Sequence, residues 1–89
     1  MKKITQSNAF KKDYKRDLKR GKKQEKFTEI VTLLASGKEL PARCRPHKLT
    51  GNFDGFWECH IEPDWLLIYD FGDDFVYLSR LGTHSDLFK

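Results

Sequence analysis

The chain has 89 residues, 38% of them hydrophobic and 13% aromatic; that suffices for one modest core and excludes both a multidomain enzyme and a disordered tail. Net charge is +4, but residues 1–26 hold eleven of the 17 Lys and Arg against three acids, a net of +8, while the remainder sums to −4. Such asymmetry points to a polyanion-facing surface, although basic charge alone gives affinity for phosphate and no chemistry.

In chain order, Lys2 to Thr5 reads as a short first strand. Phe10, Tyr14 and Leu18 then recur at every fourth position, the stripe of a helix that Ser7 or Asn8 can cap and Gly21 can end. Its other face carries Lys11, Lys12, Lys15, Arg16 and Lys19. Asp13 with Arg16 and Asp17 with Arg20 are spaced as i,i+3 ion pairs. A second helix from Gln24 to Ser36 has Phe27, Ile30, Val31 and Leu34 on one side and closes at Gly37, so the two form an antiparallel hairpin. Leu40 to Pro46 is a loop with two prolines and two arginines.

The pattern then changes to strands: His47–Thr50, Gly55–Glu62, Trp65–Phe71 and Phe75–Leu81, with turns at Pro63-Asp64 and Gly72-Asp73-Asp74 and a tail from Thr83 to Lys89. Cys44 and Cys59 are expected as free thiols, Cys59 as a small buried hydrophobe. The predicted class is α+β, one domain over residues 1–89: a short strand and helical hairpin on one face of a twisted antiparallel sheet, the other face free. The longest apolar run, Trp65–Tyr69, is strand-sized, and Met1-Lys2-Lys3-Ile4-Thr5 does not resemble a signal peptide. A cytoplasmic location without a membrane partner is expected.

All three histidines fall outside the helices. In a meander, the end of one strand neighbours the start of the next, so His47, His60, His84 and Asp64 can converge on one edge of the free face. Each alone reads as a surface imidazole; together they suit proton transfer near neutral pH. Beside a basic surface, with Trp65, Tyr69 and Phe88 as stacking planes, the fitting substrate is single-stranded RNA, which supplies its own 2′-hydroxyl nucleophile. Arg80 is either the cation on the phosphate or a strand arginine paired with Asp70 or Glu58. A zinc site from Cys44, His47, Cys59 and His60 is disfavoured, because adjacent strand residues 59 and 60 point to opposite faces.

Three blocks, His47-Lys48-Leu49-Thr50-Gly51, His60-Ile61-Glu62-Pro63-Asp64-Trp65-Leu66-Leu67-Ile68-Tyr69 and Arg80-Leu81-Gly82-Thr83-His84-Ser85-Asp86-Leu87-Phe88, resemble the YafQ-type toxins of the RelE/ParE superfamily. The likeness spans essentially the whole chain. It implies a RelE-like fold and a ribosome-dependent messenger RNA endoribonuclease that works without a metal or other cofactor. It also implies a protein antitoxin that silences the toxin and mediates any contact with operator DNA. Position by position, it implies catalytic roles for His84, His60, Asp64 and His47, and substrate binding by Arg80, Trp65 and Phe88. Two alternatives stand beside it: a non-catalytic gyrase inhibitor of the ParE type, and a plain RNA-binding module.

Overall fold

The computed structural model describes residues 1–88. Strand β1 (Lys3–Gln6) leads into helices α1 (Asn8–Lys19) and α2 (Gln24–Ala35). Then come β2 (His47–Lys48), β3 (Trp57–Glu62), β4 (Trp65–Phe71), β5 (Phe75–Gly82) and a short helix α3 (His84–Leu87). Single 3₁₀ turns at Ala42–Cys44 and Gly51–Phe53 flank β2. The strands form one sheet in the order β1-β5-β4-β3-β2. The α+β class expected from the pattern holds, with one addition. β1 runs parallel to β5, Lys3 opposite Phe75 through Gln6 opposite Leu78, so the sheet is mixed.

That parallel edge explains where α1 lies. β1 ends at Gln6 while β5 continues to Gly82, leaving four residues of β5 without a partner strand on that edge. Helix α1 takes over that edge with side chains. Ser7 caps the helix, accepting from the Phe10 N–H at 2.9 Å, and its hydroxyl donates to the Ser79 carbonyl at 2.6 Å. Asp13 accepts from the Leu81 N–H at 3.0 Å, and Arg16 donates to the Leu81 carbonyl at 2.8 Å. An exposed strand edge is thereby satisfied and blocked to foreign strands.

This arrangement revises the helix face. The expected stripe was Phe10, Tyr14 and Leu18, yet the buried positions of α1 are Phe10, Asp13 and Asp17, while Leu18 is 37% exposed. Both expected ion pairs form, Asp13 with Arg16 at 3.2 Å and Asp17 with Arg20 at 3.5 Å. Their carboxylates, however, are interior groups whose shortest contacts run to the sheet.

The main core fills the helix side: Phe10, Ile30, Val31 and Leu34 pack on Cys59, Ile61, Trp65, Leu67, Tyr69, Val76, Leu78 and Leu81. The other face, expected to be free, is only partly so. Leu66 and Ile68 are covered there by Leu87 of α3 and by Leu49, Phe53 and Phe56 of the loop after β2. Within the stretch expected as a tail, His84–Leu87 form α3. Thr83 and Asp86 make a reciprocal capping box, the S/T-x-x-acid signature that starts a helix.

Candidate active site

Period-two alternation along β3 places Trp57, Cys59 and Ile61 in the helix-side core and turns Glu58 and His60 to the other face. β2 pairs antiparallel to β3 with His47 opposite Glu58, which brings His47 to the same place. One oxygen of Glu58, Oε1, lies 3.5 Å from Nε2 of both His47 and His60. Glu58 is nearly buried, and sequence reasoning considered it only as a partner for Arg80. The signal that it joins the histidines was the i,i+2 spacing to His60.

The two-residue turn Pro63-Asp64 then sets Asp64 against the start of α3. Its Oδ1 accepts from the His84 backbone N–H at 2.9 Å and lies 2.6 Å from His84 Nδ1. These contacts, the backbone one first and the ring second, hold the Asp64 carboxyl below the usual carboxylate range. The rings of His60 and His84 are 5.8 Å apart, centre to centre. The structure thus brings His47 to His60 through Glu58 and His84 to Asp64, with the His60 and His84 rings facing each other.

Hydrogen-bond partners fix the tautomers. A carbonyl oxygen only accepts, so His47 Nδ1, 2.9 Å from the Arg45 carbonyl, carries its hydrogen, as does His60 Nδ1, 3.2 Å from the Pro63 carbonyl. His84 Nδ1 donates likewise to the Asp64 carboxylate. Among the described residues none of the three Nε2 atoms makes a hydrogen bond, but those of His47 and His60 stand 3.5 Å from Glu58 Oε1, whereas His84 Nε2 is paired through its ring with an anion that stabilises the imidazolium. His60 and His84 line a cavity of about 370 Å³ together with Arg43, Arg45, Ile61, Glu62 and Pro63.

Three other expected residues fare differently. Trp65 and Tyr69 are buried in the core, 0% and 2% exposed, so neither offers a ring face to a base. Both point to the helix side of β4, and Trp65 Nε1 donates to Asp17 Oδ2 at 2.8 Å. Trp65 is a structural anchor here, which corrects its assignment as a stacking residue. Arg80 pairs with neither Asp70 nor Glu58: its Nε and Nη2 engage Asp13 at 2.7 and 3.3 Å, raising the guanidinium pKa further. It lies outside the set lining the histidine cavity. Phe88, by contrast, is 41% exposed at the end of α3, edge-on to Phe53.

Among the described residues no group of three or more His, Cys, Asp or Glu is arranged to hold a metal ion. Cys44 and Cys59 are free thiols in the helix-side core, where burial raises the pKa of each.

The family described as the bacterial toxin of the type II toxin–antitoxin system, YafQ, matches residues 2–89. The chain belongs to the YafQ toxin family. The mRNA interferase toxin YafQ of Escherichia coli K12 is 40% identical over 86 residues, covering 96% of this chain and 94% of that protein. The crystal structure of YafQ from E. coli BL21(DE3) superposes with a TM-score of 0.93 at 37% identity, each chain covered completely. YafQ in the E. coli DinJ–YafQ complex gives 0.91 at 38% identity, again over both whole chains. A copper-bound mutant toxin from Helicobacter pylori gives 0.92 at 36% identity, covering 99% of this chain and 100% of that one.

Proposed function

We propose that this YafQ-family toxin, one domain over residues 1–89, is a ribosome-dependent messenger RNA endoribonuclease restrained by a cognate antitoxin. The observation that carries the reading is the Asp64–His84 dyad facing His60, rings 5.8 Å apart, beside a cavity large enough for a phosphate and its flanking sugars. Two imidazoles at that separation can serve the two proton transfers of RNA cleavage. The 2′-oxygen attacks the adjacent phosphorus as its proton passes to one imidazole. The P–O5′ bond breaks as the other ring protonates the departing 5′-oxygen. The products are a 2′,3′-cyclic phosphate and a 5′-hydroxyl.

His84 is the leading proton-transfer residue, oriented by Asp64, and His60 is its counterpart, oriented by the Pro63 carbonyl and Glu58. His47 lies beside the phosphate. Arg80, fixed by Asp13 through Nε and Nη2, presents Nη1, the one nitrogen of its own guanidinium without a protein partner among the described residues. Phe88 supplies the exposed aromatic plane for a base. The catalytic proposal needs no metal, so cleavage survives a chelator of transition metals when magnesium is kept in excess to hold the ribosome together.

By analogy with the DinJ–YafQ pair, a separate protein partner holds the toxin silent, and operator DNA is reached only through that partner. No helix among the described residues is long and apolar enough to cross a membrane. A cytoplasmic location is part of the proposal, since a toxin that cuts message on ribosomes works where they are.

The test is His84→Gln. It should abolish growth inhibition and the appearance of new message 5′ ends after induction while leaving antitoxin binding intact. Full toxicity in this variant refutes the assignment. Arrest of DNA synthesis before protein synthesis would instead favour the gyrase-inhibitor alternative, and RNA binding without new 5′ ends the RNA-binding module.

A further inference from the structure

We infer that Arg45 forms a binding subsite for a phosphodiester group of the message, on the wall of the cavity shared with His60 and His84. The inference rests on the cleavage reading above. Four observations meet at this residue. Arg45 is exposed and lines the cavity that holds His60 and His84. It carries no ion pair among the described residues, whereas Arg43, two positions earlier, is bound to Glu29 at 3.1 Å. The one carboxylate lining the cavity, Glu62, is answered by Lys22 at 2.9 Å and Lys26 at 2.8 Å. The uncompensated charge at the wall is therefore positive, as a phosphate requires.

The fourth observation is the backbone. Arg45 has φ +45° and ψ +57°, the only non-glycine residue with positive φ among those described. A left-handed conformation in a residue with a Cβ is disfavoured and persists where surrounding structure enforces it, commonly at binding sites. Two contacts enforce it here. The Arg45 N–H donates to the Ala42 carbonyl at 3.1 Å, closing the 3₁₀ turn. Its own carbonyl accepts from His47 Nδ1 at 2.9 Å. The same turn thus orients one histidine of the site through its carbonyl and sets Arg45, with no ion pair among the described residues, at the wall of the cavity lined by the other two. Arg80, tied to Asp13, lies outside that cavity.

Glycine at position 45 separates side chain from backbone. Arg45→Gly keeps the carbonyl that holds His47 and suits the positive φ, yet removes the guanidinium. Initial cleavage rates on ribosomes programmed with a defined message should show KM rising roughly tenfold, the scale of one charge-assisted hydrogen bond. kcat should change less than about threefold, since the proton-transfer groups stay in place. The melting temperature should hold or rise, and Arg45→Lys should recover most of the loss. The salt dependence of log(kcat/KM) should become shallower by about one ion.

A message bearing one neutral methylphosphonate next to the cleavage site distinguishes message from ribosomal RNA as the source of the phosphate. It should raise KM for the wild type and add little for Arg45→Gly. Equal penalties in both proteins would assign Arg45 to a ribosomal phosphate and overturn the proposal. So would wild-type KM and salt dependence in Arg45→Gly. If the wild-type protein cuts no message at all, the cleavage reading falls and this one with it; cleavage by the wild type with an indifferent Arg45→Gly sinks this one alone.

Discussion

Arg20 holds Asp86 through both terminal guanidinium nitrogens, Nη1 to Oδ2 at 2.7 Å and Nη2 to Oδ1 at 3.3 Å, tying α1 to the short helix that carries His84. Arg16 adds a second contact at 3.3 Å, and Asp86 also accepts from the Thr83 N–H at 2.9 Å. The crossing is tight over Gly82, where an added Cβ would stand 2.7 Å from Arg16 Nη2 and 2.9 Å from Asp86 Cβ. A four-residue helix has almost no stability of its own, so the register of His84 depends on this clasp.

Asp86→Asn should therefore lower kcat roughly tenfold with KM little changed, because displacement of a proton-transfer group by even 1 Å is costly. Loss of the charged half of the capping box should cost about 1 kcal/mol of stability. Single-turnover cleavage together with urea unfolding checks both. A variant with full kcat would show that α3 keeps its register without the clasp.

The same carboxylate predicts an acid limb. Arg20 holds the Asp86 carboxyl far below the usual carboxylate range, the Thr83 and Arg16 contacts acting in the same direction. Lys26 and then Lys22 lower Glu62 likewise. A pKa depressed on folding means that stability is fully present above the unfolded value and is lost as pH falls through that value towards the folded one. Melting temperature should thus be level from neutral pH down to about 5 and fall below about 4, near the unfolded carboxylate pKa. Asp86→Asn should start lower and fall less steeply, its gap from the wild type narrowing with acid. Parallel curves would show that Asp86 does not contribute to the limb.

Asp64 makes two contacts with His84, to the backbone N–H and to the ring, and Asp64→Asn separates geometry from charge. An asparagine oxygen can still accept from both groups, but it carries no charge to balance the imidazolium. kcat should fall about 10²-fold or more, within the range for disabling one acid–base group. Antitoxin binding and melting temperature should stay close to wild type. Cleavage rates near wild type would mean that Asp64 only orients the ring.

Much of this site was legible before any coordinates. The strands came from alternation and turn residues, and alternation alone placed His60 opposite Cys59, which removed the zinc option. Glu58 was legible by the same rule. What was not legible depended on position across the sheet. The run Trp65–Tyr69 is apolar at every residue, so no alternation told which side Trp65 faces, and resemblance to a family motif does not distinguish a residue that touches substrate from one that supports the fold. Asp13 and Asp17 looked like surface halves of i,i+3 pairs. Asp13 is buried because β1 ends at Gln6 and leaves a β5 edge that polar side chains satisfy, and Asp17 because it accepts from the interior Trp65 indole. Arg45 stood in a proline-bounded loop with no periodicity, and its left-handed backbone leaves no mark in composition.

The correction at Trp65 yields the sharpest contrast between the two readings. A stacking residue should, when replaced by phenylalanine, keep the fold and raise KM modestly. A buried anchor should do the reverse. Trp65→Phe removes the Nε1–H that reaches Asp17 Oδ2 and leaves one oxygen of an interior carboxylate short of its donor. Hydrogen bonds to buried charged groups contribute about 1.5–3 kcal/mol, and the smaller ring also leaves unfilled space, so a loss of about 2–4 kcal/mol is expected. In a domain this small that lowers the melting temperature by roughly 10 °C or more. Toxicity should fall with the amount of folded protein, while KM of the folded fraction stays near wild type. Unchanged melting with a raised KM would return Trp65 to the substrate surface.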